Sequence, residues 1–518
     1  MIISYADSAL SVLPPLLAIT LAILTRKVLL SLGLGIILGA LLLTDFSLVG
    51  SSEYILSTAS QLVWKDAALN SWNVYILGFL VVLGMITALI TVSGSARAFA
   101  DWAKLRIRNK RDAKLMTIFL GCVVFIDDYF NSLVVGSISR PITDRYHISR
   151  AKLAYILDST AAPICVISPV SSWGAYIIAL IGGILTAHGF ADSGHLSVFI
   201  QMIPMNFYAV FSLLLLVCVA TFSLNIGPMR QHELNALRGE LYDESKGQPP
   251  GAVTDLPEAD TGKVIGLFLP IAILVFATLY FMVSSGAEAL AAKEQMFSVL
   301  GAFENTDVSS SLFFGSIVGL IATVLLAFQQ KVELSMLLKG MSVGARSMLP
   351  AIYILLFAWT ISSVIGQLET GKFMASLATD NIPFALLPAM LFLLAGITAF
   401  STGTSWGTFG IMLPIAADMA MGSDSTMMLP MLAAVLSGAV FGDHCSPISD
   451  TTILSSTGAS CHHIDHVVTQ LPYALIAALI SFVGYIVLGF TGSLMAGLIC
   501  CSVLFLISIL VLYFWAKK

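Results

Sequence analysis

Charged residues are what this sequence has least of. Only 11% of its 518 residues are Asp, Glu, Lys or Arg, against 58% that are hydrophobic. A soluble domain of this length needs roughly a quarter of its residues charged to keep its surface wet. That class is excluded, and lipid must be the solvent over most of the chain. Lys and Arg, 25 in all, are too sparse for a phosphate-tracking stripe, and the net charge of -5 is small. Nucleic acid is therefore not an expected partner. Seven cysteines, most of them inside apolar runs, do not make a disulfide framework. None stands in a CxxC pair with histidines at metal-site spacing. Triad residue types occur only crowded together, at Asp443, His444 and Ser446, where adjacency prevents a relay geometry. No enzyme activity and no cofactor are expected.

What is present is a series of apolar runs. A span needs about twenty apolar residues to cross roughly 30 Å of hydrocarbon. Full spans are predicted over 8–24, 28–43, 74–92, 196–224, 264–283, 312–328, 347–365, 467–488 and 493–514. The first has no basic residue before it and is followed by further spans, so it reads as a true span and not as a cleaved signal. Two regions, 115–187 and 382–456, are apolar overall but interrupted repeatedly by Gly, Pro, Ser and Asp.

Basic residues mark the cytoplasmic side. They cluster at Arg26 and Lys27, at Lys104 to Lys114, at Lys331, Lys339 and Arg346, and at Lys517 and Lys518. All four clusters fall inside if each interrupted region crosses the membrane a net odd number of times. The N-terminus is then outside and the C-terminus cytoplasmic, in a bacterial inner membrane. The one long polar stretch divides the chain into a membrane half over 1–226, a cytoplasmic linker over 227–263 and a second membrane half over 264–518.

The interrupted regions resemble each other. Residues 125–142 (FIDDYFNSLVVGSISRPI) and 400–415 (FSTGTSWGTFGIMLPI) each place a polar knot beside an aromatic, then an apolar segment ending in Pro-Ile. Further on, Asp158 leads to Ser168-Pro169, and Asp443 leads to Ser446-Pro447. The charge count has the first region entered from inside and the second from outside. The expected fold is thus an all-α polytopic membrane protein with two inverted-topology repeats, each holding a re-entrant hairpin and a broken transmembrane helix. Broken ends are intolerable against lipid, so they must line an enclosed, hydrated site. Two such sites fit alternating access better than a continuous pore.

A carboxylate inside a membrane segment is a functional hypothesis by default. Asp127 and Asp128 form a candidate cation or proton site, and Asn131 shares a helix face with Asp128. Asp158, one turn before Pro163, suits either cation coordination or local bonding at the proline break. Ser159, Ser168 and Ser171 add neutral oxygens, and Trp173 suits packing against the break. Residues 442–452 bring Asp443, His444, Ser446, Ser449, Asp450 and Thr451 around Pro447, a hard-cation composition. Asp127, Asp128, Asp443 and His444 are the candidate proton carriers, or His444 hydrogen-bonds a neighbouring carboxylate. Thr402, Thr404, Ser405 and Trp406 suit a bare cation or the polar part of a small substrate. The connector 461–466, with three histidines and Asp465, reads as cytoplasmic surface.

Residues 125–131, 168–174 (SPVSSWG), 401–408 and 442–452 (GDHCSPISDTT) resemble the NhaC-type Na⁺/H⁺ antiporter family, within the larger group of ion-transporter folds with inverted repeats. The likeness covers nearly the whole chain, and 442–452 is its most specific part. It implies exchange of Na⁺ for H⁺ across a bacterial cytoplasmic membrane. It also implies cation ligands at Asp128, Asn131, Asp158, Asp443 and Asp450, positions the sequence pattern selects as well. The family is not uniform: similar proteins are thought to exchange malate for lactate or to carry amino acids, so an amino acid or small organic acid is the alternative cargo. No basic residue recurs inside the membrane to mate with a substrate carboxylate, which tilts the reading toward cations alone. The expected partners are the bilayer, Na⁺ and H⁺, with a homodimer as a general expectation for such carriers.

Overall fold

A computed structural model describes residues 4–516, apart from 26, 66, 105–106, 126, 170, 189–193, 252–257, 371–372, 374–382 and 424. Arg26, Arg106, Lys517 and Lys518 of the orienting basic clusters, and 252–257 of the predicted linker, lie outside the described residues.

Apolar side chains dominate, so the backbone satisfies its own polar groups the only way an open chain can in lipid, as helix. In chain order the helices are α1 Leu13–Thr25, α2 Val28–Leu43, α3 Leu48–Gln61, α4 Ser71–Val92, α5 Ser95–Lys104, α6 Lys110–Val123, α7 Asp128–Arg145, α8 Arg150–Cys165 and α9 Ser172–Ala187. There follow α10 His195–Met202, α11 Phe207–Phe222, α12 Gly227–Leu237, α13 Ile265–Ala292, α14 Val299–Glu304, α15 Val308–Gln329, α16 Leu334–Ser347 and α17 Leu349–Gln367. The chain closes with α18 Leu387–Thr402, α19 Ser405–Ser423, α20 Met428–Cys445, α21 Asp450–Gly458, α22 His463–Thr491 and α23 Leu494–Ala516.

Nine helices among the described residues are long and apolar enough to cross a membrane. Their outer faces carry Phe276, Ile321, Leu325, Leu479, Leu506 and Leu510, all more than half exposed, as a lipid-facing surface requires. The run 28–43 is α2 over the expected bounds, and the chain then bends by 120° into α3, with Asp45 and Phe46 in the left-handed region (φ 53° and 58°). One predicted span needs correction. The run 196–224 is not one span: Pro204 ends the helical path after α10, and the Asn206 side chain accepts from Ala209 N to start α11.

The helices sort into two groups, each drawn from both halves of the chain. In one, α4 packs on α15 and α16, α13 on α15, and α2 on α17. In the other, α18 packs on α20, α7 on α8, and α11 on α22, while α21 lies against both α7 and α8. The α7–α21 crossing is backbone on backbone: a Cβ added at Gly136 would stand 2.6 Å from the Gly458 carbonyl oxygen.

The interrupted regions have one pattern used twice. In the first, α6 breaks into α7 and α8 breaks into α9; in the second, α18 breaks into α19 and α20 breaks into α21. Six of these eight helices have 14–18 residues, α19 has 19 and α21 has 9. At 1.5 Å per residue, 14 to 18 residues rise only about 21–27 Å, and α18 and α20 reach spanning length only with the short turns before them, as Phe384–Thr402 and Ser425–Cys445. Pro169 and Pro447 lie in the breaks, as their missing amide donors demand.

The polar segment after residue 226 is docked, not loose. Glu233 of α12 is buried and accepts from Ser149 N (2.9 Å) and Ser149 Oγ (2.8 Å) at the start of α8. Lys246 Nζ meets both oxygens of Asp465 on α22 at 2.7 Å. Ser245's hydroxyl, with Lys246 behind it, holds the Asp243 carboxyl below the usual carboxylate range. Arg140 of α7 donates to the Gly251 carbonyl (2.9 Å).

Candidate functional site

Each break exposes the last carbonyls of one helix and the first amides of the next, and polar side chains close them. At the first break, Asn131 Nδ2 donates to the carbonyls of Gly121 (2.6 Å), Val124 (2.8 Å) and Thr160 (3.2 Å). Asp127 caps α7, accepting from Phe130 N (3.1 Å) with one oxygen and from Ser172 Oγ (2.8 Å) with the other. At the second, Ser171 Oγ caps α9 through Gly174 N (2.8 Å) while donating to the Cys165 carbonyl (2.7 Å). At the third, Gly403 turns the chain with φ 72°, and Asp443 accepts from both Ser405 N (3.1 Å) and Ser405 Oγ (2.7 Å). At the fourth, Ser446 Oγ donates to the Phe400 carbonyl (2.7 Å), and Ser449 caps α21 through Thr452 N (3.3 Å).

Among the described residues, the buried oxygens left without partners include Asp128 Oδ2, Asn131 Oδ1 and Asp443 Oδ1 at the breaks, with Gln470 Oε1 and Asp144 Oδ1 elsewhere. A buried carboxylate oxygen with no donor is unstable unless a proton or cation reaches it.

Asp127, Asp128 and Asp450 share one cavity of about 490 Å³, lined also by Tyr129, Thr404, Ser362, Asn73 and the indoles of Trp72, Trp359 and Trp406. Tyr129 donates its hydroxyl to Asp450 Oδ2. Trp406 is wedged between Trp173 and Tyr176, with ring centroids 5.9 and 4.7 Å away. Trp173 is fully buried behind it.

Asp158 lies apart from that cavity, wholly buried. It accepts from Gln470 Nε2 (2.6 Å), Ser455 Oγ (3.1 Å) and Thr452 Oγ1 (3.3 Å), with His466 Nε2 at 3.1 Å. His444 stands 4.0 Å away, held between Tyr208 Oη (2.7 Å) and Ser159 Oγ (3.3 Å). Thr452 joins the two regions, since its hydroxyl also reaches the Asp443 carbonyl (3.4 Å).

Of the positions selected from sequence, Asp127, Asp128, Asp450, Thr404 and Trp406 therefore share the cavity, and Asp443 with Ser405 lies behind it. Ser159 and His444 belong with Asp158. The hydroxyls of Ser171, Ser446 and Ser449 are committed to the backbone at breaks, Thr402 Oγ1 bonds its own helix at Thr398 O (2.9 Å), and Thr451 pairs with Ser449 (2.9 Å). Ser168 contributes its carbonyl, which accepts from Ser171 Oγ (2.8 Å). The histidine connector is a correction: His463 and His466 are buried, the first against the Pro447 carbonyl (2.8 Å), the second on Asp158. His466 and Gln470 stand one turn apart on α22, so an i,i+4 polar pair at the start of an apolar span was the available signal. Trp72 and Trp359 had no such signal, because only the packing brings them to the carboxylates; Tyr129 adjoins Asp128 in the chain, but only the packing brings it to Asp450. Among the described residues, no group of three or more His, Cys, Asp or Glu is placed to hold a metal ion.

The Na⁺/H⁺ antiporter family model matches residues 164–490. The chain belongs to that family. The matched part of this antiporter-family protein holds Asp443, His444, Asp450, His466 and Gln470, and it begins after Asp158. An uncharacterised protein of Haemophilus influenzae is 51% identical over 100% of this chain and 97% of its own length. The malate-2H⁺/Na⁺-lactate antiporter of Bacillus subtilis is 30% identical over 36% of this chain and 39% of its own. The arginine/ornithine antiporter ArcD of Halobacterium salinarum is 34% identical over 29% of each chain. Family and helix content together make this a multi-pass bacterial inner-membrane protein of the cation/solute antiporter group.

Proposed function

We propose that the protein exchanges Na⁺ for H⁺ across the bacterial cytoplasmic membrane by alternating access, as a transporter and not an enzyme. The observation that carries this reading is the pair of buried, unpartnered carboxylate oxygens on Asp128 and Asp443, one at a break of each repeat. Either oxygen is satisfied by a proton or by Na⁺ and not by both, which is the competition an exchanger needs. With the basic clusters placed inside, the N-terminus is outside and the halves 1–226 and 264–518 run in opposite senses. On that orientation the cavity opens outward, and the Asp158 cluster lies on its cytoplasmic side. The segment 227–263 is cytoplasmic.

The test uses everted vesicles with an imposed proton gradient. Added Na⁺ should dissipate the gradient with no organic solute present, and Asp128→Asn or Asp443→Asn should abolish the response while the protein stays folded. A gradient untouched by Na⁺ over a broad pH range overturns the reading.

A second reading, Na⁺- or H⁺-coupled carriage of an amino acid or small organic acid, draws support from the partial likeness to the malate/lactate and arginine/ornithine antiporters. Accumulation of a labelled solute that collapses without the ion gradient distinguishes it.

A further inference from the structure

The Asp127–Asp128–Asp450 cavity is larger and more aromatic than a bare cation needs. At about 490 Å³, and with a water's share of the liquid near 30 Å³, a lone Na⁺ would leave room for roughly 15 waters. The volume instead falls in the range of small-molecule sites.

Its lining narrows the chemistry. Three carboxylates face it, and among the described lining residues there is no Lys, Arg or His to offset them. An organic anion entering this space meets like charge in a poorly screened setting. Three indoles complete the wall, Trp72, Trp359 and Trp406. Indole offers Na⁺ no oxygen, since its only polar group is a donor. Its ring face attracts cations that shed water readily, and Trp is the best of the aromatic faces for this. Trp406 is fixed for that role by Trp173 and Tyr176, with Trp72 edge-on at 6.3 Å. Asp128 belongs to the same wall, and its Oδ2, buried just behind that surface, has no hydrogen-bond partner among the described residues.

We propose that this cavity binds and carries a small organic cation, a primary ammonium or guanidinium ion on a hydrocarbon body, with the charged head on Asp128 and Asp450 and the body between Trp359, Trp406 and Trp72. The inference rests on the reading of this cavity as the transport site, and it adds a cargo that competes with Na⁺ there.

The experiment uses the full chain in proteoliposomes loaded with a pH dye. Agmatine and cadaverine probe the cation without a carboxylate, arginine and lysine the same cation with one, and malate and glutamate serve as anions. The expected result is that one cationic pair is taken up in exchange for Na⁺ or H⁺ and inhibits the Na⁺-evoked proton flux competitively, while the anions do neither. Agmatine acting without arginine assigns an amine, and arginine acting without agmatine assigns a basic amino acid. Trp359→Leu should raise the KM for the organic cation roughly tenfold, with Trp359→Phe intermediate. Na⁺-evoked proton flux that no organic cation inhibits or joins overturns this inference and leaves the exchanger reading standing. Uptake of the anions alone overturns it as well. Neither Na⁺ nor any probe moving overturns both. Competition in the wild-type protein decides the matter even if a tryptophan variant fails to fold.

Discussion

Asp158 and Asp128 are both buried aspartates, yet they stand in opposite situations. Four side chains point donors at Asp158, and its two oxygens are both used. Asp128 keeps one oxygen with none. Substitutions should separate the two. Asp158→Asn turns an acceptor into a donor facing Gln470, and hydrogen bonds to a charged group are worth about 1.5–3 kcal/mol each. It should lower the thermal stability of the detergent-solubilised protein by about 2 kcal/mol or more, and an unchanged melting temperature would contradict that role. Asp128→Asn replaces an oxygen that receives no hydrogen bond among the described residues, so its melting temperature should hold or rise while Na⁺-evoked flux is lost. The sequence pointed to both residues because a carboxylate in an apolar run is conspicuous. It did not say which was satisfied, since the donors to Asp158 come from positions about 300 residues away in the chain. Asn131 shows the same limit: its amide hydrogens go to the carbonyls of Gly121, Val124 and Thr160 while its Oδ1 is left without a partner among the described residues, a division the sequence does not show.

At the level of elements, two contacts set how the repeats and the linker sit. The α7–α21 crossing brings Gly136 to the Gly458 backbone and Gly458 to the Ser132 carbonyl, where an added Cβ would stand 2.3 Å away. Gly458→Ala therefore has to push whole helices apart and should cost about 1–3 kcal/mol, read as a lower melting temperature together with weaker transport. The linker depends on Lys246, which meets Asp465, with Asp243 3.2 Å away. Lys246→Ala should speed amide exchange over 227–247 with little change elsewhere. The Asp243 carboxyl is held below its ordinary value, so its part in this contact is complete at neutral pH and fades only as pH falls through and below the usual carboxylate range. Exchange in the linker should thus be the same at pH 7 and pH 5.5 after correction for intrinsic rates. The helix breaks were legible from Pro169, Pro447 and the Gly-Ser-Thr knots, because those residues act locally. The expected end at Leu43 coincides with the end of α2, whereas the interruption at Pro204 does not show in the sequence pattern, since the flanking residues on each side are apolar.

For the whole molecule, the proposed exchange cycle requires the cavity and the Asp158 cluster to open in turn, and accessibility tests that. With the native cysteines replaced, Ser362→Cys in the cavity wall should react with a membrane-impermeant thiol reagent added outside, and Na⁺ should slow that labelling. Ser455→Cys, beside Asp158, should stay unlabelled from outside. Labelling of Ser362→Cys from the cytoplasmic side alone would reverse the assigned orientation. That each packing group draws helices from both sides of the central polar stretch was not legible along the chain, because apolar helix faces carry little record of which neighbour they meet.

That interleaving has a consequence for how the protein is made. The first broken pair, with Asp127, Asp128 and Asp158, emerges from the ribosome long before α21 and α22, which supply Ser455, His466 and Gln470 to Asp158. Until then a naked carboxylate must wait at a translocon or in a wet cleft, because bare lipid is a costly place to hold it. The N-terminal half is thus an obligate client of its own C-terminal half, and a truncation after residue 226 should be degraded unless the missing half is supplied as a separate chain.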